Sequence, residues 1–118
     1  MSIVRIGPGV RFAAASVHGG LVFLAGHVAH NASAGVREQT AETLAALDRT
    51  LGEAGTDKSR LLTVQVWLAD ISTFDEMNAA WDAWVDKASM PARATVEAKL
   101  ASPDYKVEIG GIAALLPS

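Results

Sequence analysis

The stretch Met90-Pro91-Ala92-Arg93-Ala94-Thr95-Val96-Glu97-Ala98-Lys99-Leu100 decides how the rest of this chain is read. Pro91 has no N–H and its ring crowds the preceding turn, so a helix arriving from upstream ends by Ser89 or Met90. Beyond it the pattern alternates. Ala94, Val96, Ala98 and Leu100 fall on one face of an extended segment, and Arg93, Thr95, Glu97 and Lys99 on the other. Arginine is a fixed cation with a planar fork of donors that matches a carboxylate in bidentate fashion. On these residues two readings stay open: Arg93 receives an anionic small molecule, or it pairs with Glu97 or another acid on a solvated strand face.

Downstream, Ser102-Pro103-Asp104 carries turn chemistry, because proline presets φ and Asp104 can bond its own backbone. The reading is a hairpin leading into a last strand over 106–116. There Val107, Ile109, Gly111 and Ala113 share one face, and Lys106, Glu108, Gly110, Ile112 and Ala114 the other. Gly110-Gly111 inside a strand signals a bulge or the close approach of another backbone. Glu108 is costly in an apolar strand unless compensated, either by an ion pair with Lys106 or Lys99 or by a functional task.

Upstream of Pro91, Thr73-Phe74-Asp75-Glu76 has the form of a capping box and opens a helix. Its buried stripe is Phe74, Met77, Asn78, Trp81, Trp84 and Val85; at this spacing the two tryptophans read as core packing. Before it, Leu62, Val64, Val66 and Leu68 alternate with Thr63, Gln65, Trp67 and Ala69, which predicts a strand with one strongly apolar face. A longer amphipathic helix is expected over 36–54, with Val36, Leu44, Leu47, Leu51 and Ala54 inward and a stop at Gly55. The chain opens with a hairpin, 11–17 and 21–25, joined by His18-Gly19-Gly20, where glycine supplies positive φ. Its second arm is apolar throughout and predicts a strand covered on both faces.

The order is therefore β-β-α-β-α-β-β: a single α+β domain over residues 1–118, with two helices on one face of a mixed sheet. Two helices cover one face only. Trp67, Phe23 and Ile112 lie on the other, so an oligomer is expected.

Composition narrows the function. Of 118 residues, 50% are hydrophobic and 19% charged, enough apolar material for one compact core. Ten Lys and Arg against thirteen Asp and Glu leave a net charge of −3, which offers no basic field for nucleic acid or an anionic membrane. The absence of cysteine excludes thiolate chemistry, and His18, His27 and His30 do not form an i, i+4 ligand pair, so no metal site is expected. With no signal-like apolar run at the amino terminus and no stretch of membrane-spanning length, the expectation is a cytoplasmic protein.

Pro91-Ala92-Arg93-Ala94-Thr95-Val96-Glu97, followed by Val107-Glu108-Ile109 and Ile112-Ala113-Ala114, resembles the signature end of the RidA/YjgF family of enamine and imine deaminases. The similarity runs upstream through the segments 21–28, 38–40, 55–59 and 74–78, nearly the whole chain. It implies a chorismate-mutase-like homotrimer with sites in the clefts between subunits and no cofactor. The reaction it implies is hydrolysis of 2-imino or 2-enamino acids to 2-oxo acids and ammonia. Arg93 would hold the substrate carboxylate and Glu108 would orient the attacking water, with Asn78 near the site. Backbone groups around Ala25, Gly26, His27 and Thr95 would contact the nitrogen. The departures are local. Phe12 stands where many members have tyrosine, Ala25-Gly26-His27 where they have Ser-Gly-Gln, and Thr95 where several have cysteine. The lost hydroxyls keep a second reading open, a non-catalytic module that captures 2-oxo acids or similar anions. His27 is either a polar contact in the cleft or a loop histidine.

Overall fold

The computed structural model describes residues 2–117. Six strands form one mixed sheet: β1 (Val4–Ile6), β2 (Ala15–His18), β3 (Leu21–Val28), β4 (Leu61–Leu68), β5 (Ala92–Glu97) and β6 (Val107–Ala114). The helices are α1 (Val36–Ala54) and α2 (Phe74–Trp84), and the spatial order of strands is β1-β2-β3-β6-β4-β5. Both helices pack on one face, where Val22, Leu44, Leu47, Leu51, Val64, Val66, Leu68, Met77 and Ile109 form the core. The α+β class with two helices on one face is as the sequence implies.

Several local expectations hold. Gly19 and Gly20 both take positive φ (61° and 80°) and close a two-residue turn in which His18 pairs with Leu21. Helix α1 ends at Gly55 in the left-handed region (φ 92°), with the Thr56 N–H donating to the Leu51 carbonyl. Gly110 and Gly111 mark close backbone approach on both sides of β6. A Cβ on Gly111 would run into the Thr63 carbonyl of β4, and one on Gly110 would sit 3.1 Å from the Ala25 carbonyl of β3.

Other expectations are corrected. The sheet has six strands instead of five, because Val4–Ile6 pairs antiparallel with β2. The strand expected from residue 11 begins at Ala15. Residues 7–14 loop out between β1 and β2, with Gly7 at φ 57° and the Gly9 N–H donating to the Phe12 carbonyl, so Phe12 lies in a loop. Strands β5 and β6 are not a hairpin. The β4-α2-β5 crossover makes β5 parallel to β4 at the sheet edge, and β6 inserts between β3 and β4. The capping box does not form either. Asp70, whose carboxylate accepts from Ser72, caps a 3-10 turn over Ile71–Thr73 that feeds straight into α2, and the Thr73 hydroxyl donates to the Asp70 carbonyl at 2.6 Å. Leu62 is 50% exposed instead of joining the apolar face, because a register shift against β6 separates it from Val64.

The face away from the helices is bare. Phe23 and Val96 are 42% and 50% exposed there, beside half-buried Trp67 and Ile112. Among the described residues no helix is long and apolar enough to cross a membrane.

Candidate functional site

Register decides where each chemical group points. Arg93 pairs with Val64 and Thr95 with Val66, and both valines are core residues, so these two side chains lie on the helix face of edge strand β5. The polar side of the signature segment is thus turned inward, while Ala94 and Val96 face out. The Arg93 guanidinium sits 5.0 Å from the Trp81 ring centroid and 5.8 Å from that of Phe74, and donates to the Met77 sulfur at 3.9 Å. These three α2 residues recur at i, i+3 and i+7, one stripe of the helix, and half-buried Asn78 flanks it. Burial draws the Arg93 pKa below the usual guanidinium value, and the field of Asp82 opposes the shift. The partner imagined at Glu97 is thus replaced by aromatic faces and a thioether. The Thr95 hydroxyl is buried with no hydrogen-bond partner among the described residues.

Glu108 lies on the opposite face. It pairs with Val28 on β3 and Trp67 on β4, both turned away from the helices, and its carboxylate folds over the Cα of Gly26. Lys106 does not neutralise it, because the Lys106 ammonium donates to the carbonyls of Ala32 and Ala34. One protomer therefore keeps Arg93 and Glu108 apart, on different faces and with β4 between their strands, a lateral offset of about 10 Å.

A third group of expected residues converges on a cleft of about 410 Å³ between β3 and α1. Phe12, Ala25, Gly26 and His27 line it, together with residues the sequence did not suggest: Ala14, His30, Arg49 and Tyr105 among them. Arg49 joins Glu42 and Ala46 at i, i+4 and i+7 on one flank of α1, a spacing that could have been read from the sequence. Tyr105 left no such signal, since it comes from the loop after β5. Glu42 is engaged by the backbone, accepting from His30 N–H at 2.8 Å. Between Leu24 and His27 the register of β3 slips by one residue against β6, so Ala25-Gly26 is a bulge at the mouth of this cleft.

Comparison with known proteins gives the same frame. A family described as Endoribonuclease L-PSP matches residues 2–115. A RutC family protein of Haemophilus influenzae is 46% identical over 110 residues, covering 92% of this chain and 95% of that protein. The RutC family protein YoaB of Escherichia coli is 44% identical over 115 residues, 98% of this chain and 100% of its own. A crystal structure of a YjgF family member from Neisseria meningitidis superposes with a TM-score of 0.96 at 42% identity, over 100% of this chain and 98% of that one. With the matched region spanning nearly every described residue, this chain belongs to the RidA/YjgF family.

Proposed function

We propose that the protein is a cytoplasmic, cofactor-free deaminase of 2-imino and 2-enamino acids, acting as a homotrimer whose sites form between protomers. The observation that carries this reading is the state of Arg93. Its guanidinium is braced on Trp81 and Phe74 at the sheet edge, with only a thioether as hydrogen-bond partner among the described residues, so its forked donors suit a carboxylate arriving from outside the protomer.

In that reading Arg93 fixes the substrate carboxylate and Glu108 takes a proton from water as its oxygen bonds to the imine carbon. Glu108 passes that proton to the nitrogen, giving the carbinolamine. The carbinolamine O–H then gives up the second proton, by way of Glu108, to the nitrogen as the C–N bond breaks, so ammonia leaves and the carbonyl forms. Water and imine go in; 2-oxo acid and ammonia come out. The imine is already electrophilic, so orientation and one placed water supply most of what is needed.

Because Arg93 and Glu108 cannot meet within a protomer, Arg93 of one copy serves the Glu108 of another. The bare sheet face supports such an assembly. The test is complementation. Arg93→Ala and Glu108→Gln trimers, assayed with freshly generated 2-iminopropanoate, should each be inactive. Hybrids formed from equal amounts should recover activity at roughly a quarter of their sites, as random pairing in a three-fold ring requires. Hybrids no more active than their parents would overturn the shared site.

A second reading has one observation behind it: Phe12 and Ala25 present no hydroxyl to the cleft. A module that only binds 2-oxo acids would show saturable pyruvate binding and no turnover above the buffer rate.

A further inference from the structure

We infer that His27 is a positioning residue: its ring, held between the Ala25 carbonyl and the Thr50 hydroxyl, locks the β3 bulge so that Gly26 backs the Glu108 carboxylate. His27 Nδ1 lies 2.7 Å from the Ala25 oxygen, and Nε2 lies 2.8 Å from Thr50 Oγ1 on α1. A carbonyl oxygen can only accept, so Nδ1 carries the proton. Nε2 of the neutral ring then accepts from the Thr50 O–H. Thr50 is 6% exposed, which makes this a link into the core.

Both ring nitrogens are thereby consumed inside the protein. His27 borders the cleft, yet has no free nitrogen to bind a ligand or carry a proton. Its effect is on the backbone. From Leu24 to His27 three steps of β3 face two steps of β6, Gly111 to Ile109, and the surplus residue is absorbed at Ala25-Gly26. A bulge has lost its ladder hydrogen bonds locally and needs another restraint. The imidazole supplies one by tying the Ala25 carbonyl to α1, directly beside the glycine on which the Glu108 carboxylate rests. In the shared site Arg93 comes from another protomer and is braced by its own α2 residues, so a loosened β3 bulge disturbs the water-placing side and leaves that bracing intact.

For turnover this rests on the deaminase reading above, so the experiment has an arm that does not. Nitrogen-15 NMR of the intact wild-type protein should show His27 as the Nδ1–H tautomer, with the Nε2 resonance moved by Thr50→Val. The Nε2–H tautomer, or rapid averaging of the two, would overturn the proposal whatever the enzyme does. In the activity arm His27→Ala should lower kcat on 2-iminopropanoate on the order of 10- to 100-fold, the effect of a small misplacement of a reacting group, with KM little changed. His27→Gln, which keeps a donor and an acceptor, should restore most of the loss. Thr50→Val should lower kcat in the same sense, which keeps the arm decisive if His27→Ala does not fold. A wild-type kcat in folded His27→Ala, or a fall confined to KM, would overturn the assignment. An inactive wild type with the expected tautomer would remove the deaminase reading and leave the bulge lock standing.

Discussion

The Glu108 carboxylate occupies the space beside Gly26 Cα that a Cβ would take. This relationship separates two glycines that look alike in sequence. At Gly26 the atoms in the way belong to the end of a flexible side chain, so Gly26→Ala should fold with a melting temperature near wild type while the carboxylate swings aside. Turnover should fall on the order of 10- to 100-fold. At Gly111 the obstacle is the Thr63 backbone carbonyl of the neighbouring strand, which cannot move without prying the sheet apart. Gly111→Ala should therefore lower stability by about 1 to 3 kcal/mol or prevent folding. Thermal melts beside assays check both, and an active Gly26→Ala would show that Glu108 is free to work elsewhere.

Gln39 anchors the loops around the cleft. It is fully buried, its amide nitrogen donates to the carbonyls of Asn31 and Asp104 at 3.1 and 3.0 Å, and its oxygen accepts from the Lys106 N–H at 3.0 Å. Gln39→Ala strands all three backbone groups and should cost about 2 to 3 kcal/mol. Gln39→Glu preserves the shape but cannot donate to two carbonyls, so it should fare no better. Urea unfolding measures both; a Gln39→Glu as stable as wild type would mean the loops find other partners.

Gln39 also shows where the sequence stops being legible. Hydrophobic periodicity identified α1, β4 and β6 because the buried residues there are mostly aliphatic. It passed over Gln39, Thr40, Thr43 and Thr50, which are buried on α1 although polar. Gln39 is held there by Asp104 and Lys106, far along the chain, and Thr50 meets His27 of β3, whereas the Thr40 hydroxyl bonds the Val36 carbonyl one turn back. The same limit hid the topology. Nothing between Glu97 and Val107 announces that β6 will leave β5 and enter between β3 and β4; only Gly110-Gly111 hinted at close neighbours on both sides. For the site, Arg93 and Glu108 stood out by chemistry, whereas their separation onto opposite faces follows from strand register, which no local pattern reveals.

The Trp81 face on which Arg93 rests should contribute to anion affinity. Cation–π contact of a partly desolvated guanidinium contributes about 0.5 to 2 kcal/mol. Trp81→Leu should therefore weaken binding of pyruvate by roughly 2- to 30-fold, with Trp81→Phe intermediate. Trp81 is only 5% exposed, so both variants also lose stability, and titration calorimetry is to be done well below their melting temperatures. Unchanged affinity in folded Trp81→Leu would assign the ring to the core alone.

The bare sheet face gives the test of assembly. Phe23 and Val96 are 42% and 50% exposed in the isolated protomer, so a charge at either position costs the monomer little. Within a trimer that closes over this face, the same charge would be buried without a partner, a penalty of several kcal/mol repeated at each equivalent interface. Phe23→Glu and Val96→Glu should then give a monomer mass by light scattering, with the far-UV circular dichroism of the wild type. Ile71, 43% exposed in the 3-10 turn before α2, lies off this face, and Ile71→Glu should leave the trimer intact. Activity provides the cross-check. Since Arg93 and Glu108 lie on opposite faces of one protomer, the folded monomers should lose deaminase activity although every residue of the site is present. A trimeric Phe23→Glu would move the interface elsewhere, and a fully active monomer would break the link between assembly and catalysis.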